Sequence, residues 1–263
     1  MLIPFEGRRI ACDLIGDAGR QVVCLVHALG ADGGMWAEQI PMLLEAGHAV
    51  LRIDLRGHGG SDAPAGPYSM AGLAADIAFV LRRLDLPPVH YAGLSLGGMV
   101  GQALALEHPG LLRSIMICDA LPESLPNAAE IWGPRIRAAR AAGSVEPLAQ
   151  ATVERWLTPE FQAANPQRSQ QIRDTIAATS AEGYAGCAEA ISDFSHVARL
   201  PGLAVRACIL CGADDHAVPP AEGRRIAALV PDGRFHAIDG AQHLPNVEKP
   251  AVFNALLKDW IAR

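Results

Sequence analysis

The sequence predicts an α/β fold: a mostly parallel sheet with helices on both faces and a long helical insertion. Three observations predict it. Six near-continuous apolar runs recur along the 263 residues, the pattern of strands buried on both faces. Helix-compatible stretches separate most of them, as parallel strands require. From Leu121 to about Val197 the alternation stops. No strand pattern occurs there, only helix-compatible segments punctuated by Pro122, Pro126, Pro134, Pro147, Pro159 and Pro166.

In chain order, the alternating segment Ile3–Ile15 predicts an antiparallel edge hairpin. The strands that follow are Val22–His27, Ala49–Asp54, Val89–Gly93, Ser114–Asp119, Ala204–Gly212 and Gly233–Asp239. Helical periodicity covers Met35–Ala46, Met70–Leu84, Leu96–Glu107, Ala221–Leu229 and Val247–Ile261. Residues 1–120 and 198–263 therefore form the predicted α/β core, and residues 121–197 a helical cap over one end of the sheet.

Half of the residues are hydrophobic and the net charge is −6, so no basic surface invites nucleic acid or an anionic membrane. No apolar run approaches the roughly 18 residues of a membrane span. The N-terminus, MLIPFEGRRI, shows no basic region followed by an apolar stretch, which favours the cytoplasm. The six cysteines fall mostly inside apolar strands. Cys208 and Cys211 make a formal C-x-x-C, but they sit within one strand and lack a second pair at zinc spacing.

One stretch does not fit a purely structural reading. In VHYAGLSLGGMVGQALALEHP, Ser95 stands between two glycines where a strand gives way to a helix. Glycine weakens both elements, so a gain elsewhere is implied. A strand–G-x-S-x-G–helix arrangement is a nucleophile elbow, a strained turn that exposes the serine at a helix start. A serine hydroxyl needs a base, and the base an orienting acid. His243, in GAQHLPNVE before the last helix, is the expected base. Asp215, in LCGADDHAVPP, is the expected acid, with Asp214 and Asp119 as alternatives. HALGADGGMW follows the first parallel strand, so the backbone N–H groups of Leu29 and Leu96 are the expected oxyanion donors. RIDLRGHGGSD reads as framework, with Asp54 and Arg56 organising its loop. His216 is grouped with the solvated or structural histidines.

Together HALGADGGMWAEQIPML, LRIDLRGHGGSDAPAGPYSM, GLSLGGMVGQALALEHP and HLPNVE resemble the α/β-hydrolase superfamily over essentially the whole chain. The closer resemblance is to 3-oxoadipate enol-lactonases, with esterases and cofactor-free haloperoxidase-type perhydrolases behind them. It implies an eight-stranded sheet, a helical lid, no metal and no organic cofactor. It also implies a small-molecule ester or lactone as the substrate, cleaved through an acyl-enzyme. Perhydrolysis, thioester hydrolysis and carbon–carbon cleavage would use the same residues, and a non-catalytic receptor could share the fold. Oligomeric state is not legible. In the cap, Gly133 and Pro134 read as the cap and first residue of a helix, placing Arg135 in its first turn beside a substrate carboxylate. Trp36, Met99 and Trp132 complete the expected substrate wall.

Overall fold

The computed structural model covers Met1–Arg263. Strands β1 (Leu2–Phe5) and β2 (Arg8–Ile15) form the expected antiparallel hairpin. The turn between them places Glu6 and Gly7 at φ 48° and 77°. Then come β3 (Val22–Val26), β4 (Ala49–Ile53), β5 (Val89–Leu94), β6 (Leu112–Cys118), β7 (Ala207–Gly212) and β8 (Arg234–Ile238). They assemble into one eight-stranded sheet in the order β1-β2-β4-β3-β5-β6-β7-β8. From β4 to β8 every neighbouring pair is parallel. β3, β5 and β7 are buried at every position, which is why they read as unbroken apolar runs.

Helices α1 (Ile40–Glu45), α2 (Met70–Arg83) and α3 (Leu96–Glu107) connect the first parallel strands. Between β6 and β7 lie α4 (Ala128–Ala142), α5 (Glu146–Trp156), α6 (Pro159–Ala164), α7 (Pro166–Ala178) and α8 (Ala181–Ser192). The chain closes with α9 (Pro220–Leu229), α10 (Pro245–Glu248) and α11 (Pro250–Ile261). One cluster of 77 buried residues includes Val153, Trp156, Ile176 and Tyr184 alongside the strands. The helical segment thus shares the core of the sheet instead of building its own.

Two predicted helices are broken. The stretch expected as Met35–Ala46 is a 3-10 turn, Gly33–Trp36, followed by the shorter α1. Asp32 caps the turn by accepting from the Gly34 N–H at 2.8 Å, and Pro41 suits only the first turn of a new helix. The stretch expected as Val247–Ile261 is interrupted at Lys249, whose φ of −129° precedes Pro250; a residue before proline is pushed out of the helical region. No helix is long and apolar enough to cross a membrane. All six cysteines are buried and unpaired, and burial pushes the Cys208 thiol up to about 12.

Candidate active site

Ser95 joins β5 to α3 at φ 55° and ψ −115°, a left-handed conformation that costs a non-glycine residue about 1–3 kcal/mol. The flanking glycines make the turn possible. A Cβ on Gly93 would overlap the Gly97 carbonyl, and one on Gly97 would overlap the Val26 carbonyl at the end of β3. The elbow is also bonded on three sides. The Ser95 N–H donates to the Cys118 carbonyl at 2.8 Å, and the Gly97 N–H donates to that of His27 at 3.1 Å. From β5, the Tyr91 hydroxyl donates to the Gly97 carbonyl at 2.6 Å. Leu96 lies between these anchors as the first residue of α3, so its N–H has no acceptor within the helix.

The Leu29 N–H, the second expected oxyanion donor, is aimed by His27, which the sequence marks only as the end of a strand. The Leu55 N–H donates to His27 Nε2 at 2.9 Å. That fixes the proton on Nδ1, which lies 2.7 Å from the Ala28 carbonyl and donates to it. The Ala28 carbonyl and the Leu29 N–H belong to one trans peptide and point in opposite directions. Holding the carbonyl against His27 turns the Leu29 N–H the other way, and Leu29 borders the same cavity as Ser95. Asp54 braces this loop, accepting from Gly33 at 2.9 Å and Gly60 at 3.0 Å.

His243 and Ser95 border one cavity of about 390 Å³. Behind the histidine, Nδ1 lies 2.7 Å from Asp215 Oδ2, with both residues buried. The other Asp215 oxygen accepts from the Ala217 and Val218 N–H groups at 2.7 and 3.1 Å. Burial works against ionising this carboxyl. The charge of His243, its hydrogen bond and the two N–H donors outweigh burial and hold the Asp215 pKa below the usual carboxylate range. Asp214 is not part of this contact; its side chain faces a separate surface hollow.

Asp119, the other alternative acid, lies close by, but His243 Nδ1 is hydrogen-bonded to Asp215. It is fully buried, and its Oδ1 accepts from the Gly212 N–H at 2.8 Å while Oδ2 has no partner. Burial first, and the Asp215 charge second, push its pKa well above the ordinary 3.8. Asp119, Asp215 and His243 are the one group whose ligand atoms lie within 4.8 Å of one another. Within the trio only Asp215 and His243 are bonded to each other, while one oxygen of each carboxylate is spent on backbone N–H groups.

The cavity is lined by 20 residues, 12 of them hydrophobic, so an apolar substrate body would be desolvated there. Met99, Trp132 and Arg135 line it as the sequence predicted. Trp36 does not. It is fully buried against Phe253, ring centroids 5.9 Å apart, because the 3-10 turn directs it into the core.

Arg135 borders the cavity for a different reason from the one expected. α4 starts at Ala128, so Gly133 and Pro134 lie inside the helix and Arg135 stands beyond its first turn. The dipole argument for that arginine falls. Pro134 is tolerated because it and Glu130 are exposed, leaving the unpaired Glu130 carbonyl to solvent. The Arg135 guanidinium instead stacks over Trp132 at 5.1 Å.

Several lining residues were not foreseen: Arg155, Trp156, Tyr184 and His216. Trp156 lies against His243, ring centroids 5.8 Å apart. Burial, and then repulsion from Arg135, lower the Arg155 pKa. Neither arginine forms an ion pair, and the single carboxylate lining the cavity, Glu222, is bonded to Arg225 at 3.5 Å. No local motif marks such residues. They converge only in three dimensions, from α5, α8 and the loop after β7.

A family model described as alpha/beta hydrolase fold matches residues 21–250. Over 239 residues the chain is 30% identical to 3-oxoadipate enol-lactonase 2 of Acinetobacter baylyi, covering 91% of this chain and 88% of that protein. The crystal structure of the enol-lactonase from Burkholderia xenovorans LB400 superposes with a TM-score of 0.95 at 31% identity, covering all of both chains. A thermophilic esterase from Thermogutta terrifontis superposes at 0.88 with 27% identity, covering 99% and 96%. A sheet of this order, a serine on this elbow and a match along most of its length lead to one conclusion: the chain belongs to the alpha/beta hydrolase fold family.

Proposed function

We propose that this protein hydrolyses a small carboxylic ester or lactone that carries a carboxylate, with 3-oxoadipate enol-lactone as the best-fitting substrate. One observation carries the anionic part of the reading. Two arginines without ion-pair partners, Arg135 and Arg155, face the cavity that Ser95 and His243 border. Both are half-buried, and a partly desolvated cation without a counter-ion is costly; a substrate carboxylate would offset the desolvation of Arg155 and its repulsion from Arg135. The names of the enol-lactonase relatives support the same class, as does the esterase relative solved with malate, a dicarboxylate, bound.

The chemistry follows from the geometry. Ser95 Oγ attacks the acyl carbon while His243 Nε2 takes its proton. Asp215 holds the opposite ring nitrogen and stabilises the imidazolium. The carbonyl oxygen becomes an oxyanion and is received by the Leu29 and Leu96 N–H groups. The ring C–O bond then breaks, and the departing enol oxygen takes the proton from His243. Water, deprotonated by the same imidazole, attacks the acyl-enzyme and releases Ser95 with its proton restored. The enol product tautomerises to the ketone. Residues 121–197 act as the lid, excluding bulk water and presenting the arginines.

The test is a substrate pair. On 3-oxoadipate enol-lactone, Arg155→Met should lower kcat/KM by about ten- to a hundredfold, the loss of one charged hydrogen bond. A neutral ester of similar size should be hydrolysed equally by both proteins. A wild-type enzyme that prefers the neutral ester would replace the lactonase reading with that of a general esterase.

A further inference from the structure

We infer that Glu248 is a positioning residue that straps the lid to the loop carrying His243. Glu248 lines neither the cavity nor the serine, so it does not touch substrate. It is nevertheless buried, with 7% of its surface exposed, and has no cationic partner. Its carboxylate is spent on three donors from two places. Oε1 accepts from the Gln242 N–H at 2.6 Å. Oε2 accepts from the Thr158 N–H at 2.8 Å and the Thr158 hydroxyl at 2.6 Å. Gln242 immediately precedes His243; Thr158 belongs to the lid.

A second set of bonds runs between the same two segments. Assigned from its surroundings, with the nitrogen towards the lid, the Gln242 side-chain amide donates to the Leu157 carbonyl at 3.1 Å and the Arg155 carbonyl at 3.3 Å. The Thr158 hydroxyl is doubly engaged, also accepting from the Phe161 N–H at 3.2 Å, where it caps α6. Residues 155–158 are therefore held at both ends of the stretch 242–248. That short lid segment contains Arg155, one of the two unpaired cavity cations, and Trp156, which lies against the His243 ring. The anion-binding side chain and the general base share one frame, and Glu248 closes it. A carboxylate suits this joint because it only accepts, and every group facing it donates.

The inference rests on the reading of Ser95 and His243 as nucleophile and base. Its test begins with the rate at which a neutral fluorophosphonate labels Ser95 in wild-type protein. In Glu248→Gln an amide NH₂ must face either Thr158 or Gln242, so one side of the strap opens. For the folded variant we expect labelling to slow by about ten- to a hundredfold, the scale of a misplaced catalytic group. In turnover, kcat should fall more than KM rises. Thr158→Val should slow labelling in the same direction, and Thr158→Ser, which keeps the hydroxyl, should restore it. Should Glu248→Gln not fold, the Thr158 pair decides the matter alone. Folded variants labelled at the wild-type rate would overturn the positioning role and leave the hydrolase reading standing. Wild-type protein that is not labelled at Ser95 would overturn both.

Discussion

The sheet end of the cavity and its helical cover are built on different principles. At the sheet end each candidate catalytic group is locked by its own backbone conformation or by direct hydrogen bonds, several of them from close neighbours in sequence. Ser95 is held by φ 55° and flanking glycines, the Leu29 peptide by His27 one position before Ala28, and Asp215 by the N–H groups of Ala217 and Val218. In the cover nothing comparable exists. Arg135, Arg155 and Tyr184 sit on three different helices and meet because α4 packs on both α8 and α5. On the proposed function, chemistry depends on locally fixed backbone and hydrogen bonds, and selectivity on the packing of a helical layer. The two should respond differently to mutation.

The largest effect tests the sheet end. Ser95→Ala should lower kcat on the order of 10⁶-fold, the cost of removing a nucleophile from an intact relay. Mass spectrometry after fluorophosphonate treatment should place the adduct on Ser95. An adduct on another serine would move the chemistry away from the elbow and dissolve the contrast. Next comes Asp215→Asn, which keeps the shape but loses the charge that orients the imidazole, and should cost on the order of 10⁴-fold in kcat. Asp119→Asn should stay within about tenfold of wild type. A crippled Asp119→Asn enzyme would give the acid's role to the strand β6 end.

The cover should answer with changes of selectivity. Arg135→Met and Arg155→Met should each lose about ten- to a hundredfold in kcat/KM on a carboxylate-bearing lactone and little on a neutral ester. The double variant should lose less than the two single losses combined, because each removal relieves the repulsion on the other. Equal losses on charged and neutral substrates would mean that the arginines only support the helical layer.

The same contrast explains what could be read from the sequence. The strands were legible because burial on both faces demands unbroken apolar runs, and the meeting of Ser95 and His243 at one cavity, with Asp215 behind the histidine, because their loops follow strand ends in a fixed order. The failures all involve direction or context. Trp36 was expected in the substrate wall, but a 3-10 turn points it at Phe253. Pro134 was read as a helix start, yet Ala128 and Ala129 begin the helix earlier and the exposed proline is absorbed. His27 reads only as a strand end, although its Nε2 is fixed by the Leu55 N–H and its Nδ1 holds the Ala28 carbonyl, orienting the Ala28–Leu29 peptide. Arg155 carries no local signal, since an arginine on an amphipathic helix reads as solvated, and only the packing of the helical layer turns it towards the cavity.

The smallest expected effect concerns stability and isolates the neighbour of the acid. Asp119 is fully buried beside Asp215, with its pKa raised well above 3.8. The sign of the linkage follows from that direction. Below the ordinary carboxylate range both the folded and unfolded chains hold this proton, and the stabilisation is fully present. As pH rises past about 3.8 the unfolded chain releases the proton while the folded protein keeps it. Stability must then fall with pH, by at most about 1.4 kcal/mol per pH unit for one proton, until Asp119 itself ionises. Asparagine cannot titrate. Its amide oxygen can still accept from the Gly212 N–H, and it tolerates the φ of 44° at this position better than most residues. Asp119→Asn should therefore gain stability relative to wild type as urea unfolding is measured from pH 4 towards pH 8, with the two proteins converging at the acid end. Curves that run parallel across that range would mean Asp119 is ionised in the folded protein. Two carboxylates would then face His243, and Asp119 would be a second acid of the relay instead of its neutral neighbour.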